Sequence, residues 1–133
     1  MKKFKVIIAG SRSINQYDYV VQAVNQSGWA DKITEIVCGD AKGVDTLGAW
    51  YATSKQIPIK HFPAQWNDLN VKDAVIKVNN FGKYNAKAGL DRNEKMGDYA
   101  DALICIIKDD SSGSKHMIDY MTKIGKPTYI MEI

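Results

Sequence analysis

Apolar residues gather in short continuous runs at 5–9, 33–38, 57–62 and 102–107, each giving way to a polar or glycine-bearing segment, and a fifth run at 128–131 closes the chain. Runs that do not alternate with polar residues suit strands covered by helices on both faces. Between them, spacing and end signals predict helices over 17–26, 44–55, 86–99 and 114–124, the last stopped by Gly125-Lys126-Pro127. The resulting order, βαβαβ followed by αβαβ, implies an α/β fold of three layers around a parallel sheet. Ligands of such sheets sit beyond the carboxyl ends of the strands. The loops opening at Gly10, Gly39, Pro63 and Lys108 are therefore expected on one face.

Asn67 to Asn80 separates the third strand from the next helix by more than an ordinary connection. Val71, Ala74, Val75 and Val78 recur there at helical spacing, which predicts an extra amphipathic turn or two, either a lid or subunit contact or a short helix packed on the domain. A length of 133 residues, without repeat, low-complexity tract or linker, gives one domain over 1–133.

Composition narrows the function classes. With 45% hydrophobic and 25% charged residues the chain is of ordinary globular type. The start at Met1-Lys2-Lys3 imitates a secretion signal, but its apolar run ends at Gly10 and reads as a first strand. No run approaches the ~20 apolar residues of a membrane span. Cys38 and Cys105 lie in strand-like runs as small buried thiols, and a reducing, cytoplasmic setting is expected. A net charge of +3 with dispersed lysines makes nucleic acid an unlikely partner. Of eighteen basic residues only Arg12 and Arg92 are arginine, the cation that grips phosphate or carboxylate with two parallel hydrogen bonds.

The loops carry the candidate chemistry. Gly10, Ser11, Arg12 and Ser13 combine close backbone approach, two hydroxyls and a charge before a helix N-terminus, a natural seat for an anion. An ordinary capped turn is the plainer reading. The spacing G-x-G-x-x-G is absent, so hydride transfer with NAD has no support, and no cofactor is expected. Gly39, Asp40, Gly43 and Asp45 follow the second strand; either carboxylate could meet ribose hydroxyls or act as a general base, while Asp45 also suits a first helical turn. Trp50 and Tyr51 read as packing. Trp66 could stack on a nucleobase or plug the core. His61 and His116 lack metal-ligand spacing, and no metal is expected. Arg92 and Asn93 form a second candidate anion grip, against a solvent-facing arginine. Ser112, Gly113 and Ser114 open the last helix as a phosphate seat or as simple caps.

Six segments carry a family resemblance: Ala9-Gly10-Ser11-Arg12, Gly39-Asp40-Ala41-Lys42-Gly43-Val44-Asp45, Phe62-Pro63-Ala64-x-Trp66, Ala88-Gly89-x-x-Arg92-Asn93-x-x-Met96, Ala100-Asp101-Ala102-Leu103-Ile104 and Ser112-Gly113-Ser114-Lys115-His116-Met117-Ile118. Together, and in this order, they resemble the YspA and cpYpsA-related branch of the SLOG superfamily, which is named for Smf/DprA proteins and the Lonely Guy phosphoribohydrolases. The resemblance implies a Rossmann-like fold with strand order 3-2-1-4-5 and a crevice between the first and fourth strands. It also implies nucleotide-derived ligands, a homo-oligomer (dimer), and a setting in phage or bacterial conflict.

Departures from the family pattern shape the expected activity. Asp40 and Lys42 stand where relatives often have glycine and arginine, Ser114 replaces a threonine, and Met117 replaces the catalytic glutamate of the Lonely Guy hydrolases. A thioether cannot do acid/base work. The expected function is therefore to sense or sequester a phosphorylated nucleotide derivative, with Arg12 and Ser11 on phosphate and Asp45 near ribose. The first alternative is N-glycosidic hydrolysis of a nucleoside monophosphate or an NAD- or ADP-ribose-like ligand, with Asp45 or Asp40 as the catalytic group. The second is single-stranded DNA binding as in the DprA relatives.

Overall fold

The run Val6-Ile7-Ile8 has no solvent exposure, because it is the centre of the sheet and both its faces are covered. The structure is a computed structural model that describes residues 3–39, 43–62, 76–79, 82–85, 88–108 and 112–133. Its elements follow as β1 (Lys5–Gly10), α1 (Tyr17–Ser27), β2 (Glu35–Cys38), α2 (Val44–Ser54), β3 (Ile59–His61), β4 (Ile76–Asn79), β5 (Gly82–Asn85), α3 (Ala88–Tyr99), β6 (Ala102–Ile107), α4 (Ser112–Lys123) and β7 (Thr128–Glu132). Five strands make one parallel sheet in the order β3-β2-β1-β6-β7, the 3-2-1-4-5 order implied by the family resemblance once the β4-β5 hairpin is set aside.

Alternation along β1 divides the core. Val6 and Ile8 point to one side with Val20, Ala23 and Val24 of α1 and Leu47, Tyr51 and Ala52 of α2. Ile7 and Ala9 point to the other, against Met96 of α3 and Met117 and Met121 of α4. Each fully buried isoleucine or leucine contributes about 1.5–3 kcal/mol, so the central strands anchor the fold. Helix α1 ends where Gly28 takes φ 77° and returns its N–H to the Asn25 carbonyl. The C-terminus of α3 is closed from a distance: the Lys126 ammonium donates to the carbonyls of Gly97 (2.7 Å), Asp98 (3.1 Å) and Ala100 (2.6 Å).

Several expectations need correction. The third strand is three residues long, and Lys60 and His61 are exposed; it is an edge strand and is not covered on both faces. Pro58, which lacks an N–H, restricts its start. Within the long connection, residues 76–79 are a strand, not a helical turn, and pair antiparallel with β5, Ile76 opposite Asn85 and Val78 opposite Lys83. Val78 fits both periods, but Ile76-Lys77-Val78-Asn79 also alternates apolar with polar, the strand signature. Val71, Ala74 and Val75 lie outside the described residues. Trp50, expected to pack, is 59% exposed, because α2 turns Leu47, Gly48, Tyr51 and Ala52 inward and leaves Thr46, Trp50 and Thr53 outside.

Candidate functional site

Strands β1 and β6 lie side by side in the middle of the sheet, and the chain leaves them toward α1 and α4. Their last register pair is Gly10 with Ile106, and a Cβ at Gly10 would stand 2.0 Å from the Ile106 carbonyl oxygen, so only glycine fits. One residue on, the Ser11 N–H donates to that carbonyl (3.0 Å). The Ser11 hydroxyl accepts the Lys108 N–H (2.9 Å) and donates to the Lys108 carbonyl (3.2 Å). Ser11 therefore fastens the exits of both strands, and its donor is engaged there. Arg12 and Ser13 are exposed, while Ile14 anchors the turn in the core and donates its N–H to Ser11.

The turn after β2 is built against this one. Gly43 takes φ 76° at the start of α2, and a Cβ there would lie 2.5 Å from the Ser11 carbonyl oxygen and 2.6 Å from Arg12 Cα. Left-handed backbone and lack of space both demand glycine. At the other end of the turn, a Cβ on Gly39 would meet Arg92 Nη1 at 2.7 Å and Asp45 Oδ2 at 2.8 Å. The space beside Gly39 thus admits a guanidinium and a carboxylate as close neighbours. Arg92 Nη1 donates to the Gly39 carbonyl.

Asn93 ties this assembly to α4. Its Oδ1 accepts from Arg92 Nε (3.2 Å), its Nδ2 donates to the Gly113 carbonyl (3.1 Å), and the same nitrogen lies 3.4 Å from His116 Nδ1. Beneath, on β6, burial pushes the Cys105 thiol up to about 12; a hydrogen bond from Ser114 opposes that shift and the nearby Asp45 carboxylate adds to it. Met117, where the Lonely Guy pattern has glutamate, is 1% exposed within the apolar cluster.

Ser11, Asp45, Asn93 and Ser114 are the buried polar side chains of the described residues, and each belongs to this rim. Gly10, Arg12, Gly39, Gly43, Arg92 and Gly113 adjoin them through the contacts above. Asp40 and Trp66 lie outside the described residues, as do Asp109 to Ser111. Sequence reasoning missed Cys105, Lys108 and His116 as neighbours of the site. Cys105 was legible as the residue just short of the end of a central strand, whereas Lys108 enters only through its backbone.

Residues 4–68 match the family described as the YspA, cpYpsA-related SLOG family. Among solved structures, DNA processing protein A (DprA) from Streptococcus pneumoniae shares the fold, with a TM-score of 0.68 at 20% identity over 96% of this chain. The chain spans 50% of that structure's length. No curated protein matches the chain. Among the described residues, no helix is long and apolar enough to cross a membrane. Residues 4–68 thus carry the match to the YspA, cpYpsA-related SLOG family, and the order of the five-stranded parallel sheet is the Rossmann-like one that this resemblance implies.

Proposed function

We propose that the chain binds a phosphorylated, nucleotide-derived small molecule in the crevice above β1 and β6. The carrying observation is the convergence of Ser11, Asp45, Asn93 and Ser114, buried polar side chains from four elements or loops, at the carboxyl ends of the apolar central strands. Buried polar groups cost stability unless satisfied, and their concentration at one rim of an α/β sheet marks the usual ligand position. In this reading the exposed Arg12 and the start of α4 meet the phosphate. Asp45, a carboxylate that repels phosphate, accepts from ribose hydroxyls. Arg92, already engaged with Gly39 and Asn93, is assigned to holding the turn and Asp45 in place.

Mass spectrometry of small molecules released on denaturing the purified protein tests this reading. A nucleotide derivative retained by the native chain and lost from Arg12→Ala supports it; equal retention in both proteins removes Arg12 from the site. Incubation with nucleoside monophosphates, ADP-ribose and NAD addresses the hydrolase alternative, in which Asp45 or Asp40 would act and base would be released. The buried thioether of Met117 favours binding without that chemistry. The likeness to DNA processing protein A favours a second reading, binding of single-stranded DNA. In that case affinity falls steeply with salt, with a slope of about −0.7 per neutralised phosphate.

A further inference from the structure

Asn93 is a buried amide whose orientation is decided by its neighbours. Arg92 Nε can only donate, so the Asn93 atom 3.2 Å from it is the amide oxygen. The Gly113 carbonyl can only accept, so the atom 3.1 Å from it is the amide nitrogen. That nitrogen has a second hydrogen and lies 3.4 Å from His116 Nδ1, which must therefore accept. A neutral imidazole that accepts at Nδ1 carries its proton on Nε2, and Nε2 stands 3.7 Å from Glu94 Oε2.

We propose that His116 is a positioning residue for the ligand site, a role that rests on the ligand reading given above: as the neutral Nε2–H tautomer it fixes Asn93, and its protonation loosens both segments that Asn93 holds. Those segments are the start of α4, through the Gly113 carbonyl, and the turn after β2, through Arg92 and the Gly39 carbonyl. Protonation turns Nδ1 into a donor that faces a donor. The amide cannot answer by turning over, because its oxygen would then face the Gly113 carbonyl and its nitrogen would face Arg92 Nε. Ring and amide must separate instead. The surrounding charges favour that movement. Of the elements packed on α4, α3 presents Glu94, with Asp91 one turn earlier, and β7 carries the exposed Glu132 near its end. Strands β1 and β6 present apolar side chains and the Cys105 thiol, kept neutral by burial. On α4 itself Lys115 precedes the ring and Asp119 follows it. Carboxylates prevail, so the imidazolium is drawn toward Glu94 and away from Asn93.

The test begins on the full chain without ligand. Proton–nitrogen correlation spectra of the imidazole rings at pH 8 should show His116 as the Nε2–H tautomer. Between pH 8 and pH 5, the range in which an imidazole gains its proton, the Arg92 Nε–H and the Gly113 and Ser114 amides should shift with the same midpoint as the ring. His116→Asn sets an acceptor oxygen in the place of Nδ1 and does not titrate, so it should hold these three signals level. Adenosine monophosphate is then titrated into both proteins. They should bind it equally at pH 8, and at pH 5 the native chain should bind it about fivefold more weakly than His116→Asn, the effect of losing one hydrogen bond. The phosphate's own titration near pH 6 is common to both and cancels. His116→Leu, with no acceptor, should bind about fivefold more weakly than the native chain at pH 8. A proton on Nδ1 at pH 8, reporter signals that stay level while the ring titrates, or equal affinities for the native chain and His116→Asn at pH 5 overturns the proposal. Absence of adenosine monophosphate binding in both proteins at both pH values overturns the ligand reading instead, and the ligand-free spectra still decide whether His116 fixes Asn93.

Discussion

Replacing Arg92 by alanine tests whether the polar cluster beyond β1 and β6 is one coupled assembly. Arg92 donates to the Gly39 carbonyl and to Asn93 Oδ1 and stands beside the buried carboxylate of Asp45. Hydrogen bonds from a charged donor contribute about 1.5–3 kcal/mol each. Arg92 is half-buried, so water replaces part of that and the expected loss is about 2–3 kcal/mol. With an m-value near 2 kcal/mol/M, this lowers the urea midpoint by about 1–1.5 M. Gly39→Ala reaches the same interaction from the other side: its Cβ would stand 2.7 Å from Nη1 and push the guanidinium off the carbonyl. The double variant should cost less than the sum of the singles by about 1 kcal/mol or more. Additivity within about 0.5 kcal/mol would refute the coupling, because independent sites add to that precision.

Other consequences follow from single contacts. Lys126→Met removes three carbonyl acceptors' shared donor at the end of α3 and should cost about 2–3 kcal/mol in urea unfolding, with Lys126→Arg recovering only part, since a planar fork cannot reproduce a three-way ammonium contact. Cys105, its thiol pushed up to about 12 by burial, should not react with a disulfide reagent at pH 8 in the native state; both thiols should react once urea unfolds the chain. The Tyr120 hydroxyl donates to Asp98 at 2.6 Å, and this bond first, then desolvation, pushes the phenol up to about 12. A folded value above the unfolded 10.0 contributes stability that is complete below pH 10 and lost as pH rises toward 12. The stability gap between the native chain and Tyr120→Phe should close over that window, and a gap independent of pH would contradict it.

What could be read in advance follows from how local each signal is. Val6-Ile7-Ile8 and Leu103-Ile104-Cys105 announce central strands because covering both faces demands unbroken apolar runs, and the alternation of elements then restricts the topology. Gly10 and Gly43 were legible as turn residues, but their reasons, the Ile106 carbonyl and the Arg12 backbone, come from segments distant in sequence. Asn93 and Lys126 act through partners 20 or more residues away, which no spacing rule reveals. Trp50 misled because its bulk suggested a core role, whereas the position of the inward stripe on α2 decides. The β4-β5 hairpin was obscured by Val78, which satisfies two periods at once until a cross-strand partner selects one.

The most direct test of the proposed ligand site is an amide NMR titration of the native chain with adenosine monophosphate, and with inorganic phosphate in parallel. Binding at this site should produce saturable shifts at Gly10 to Ser13, Gly39 to Asp45 and Ser112 to Ser114, with phosphate moving a subset of them. An unchanged spectrum with both probes, or shifts confined to surfaces away from the carboxyl ends of β1 and β6, would contradict it.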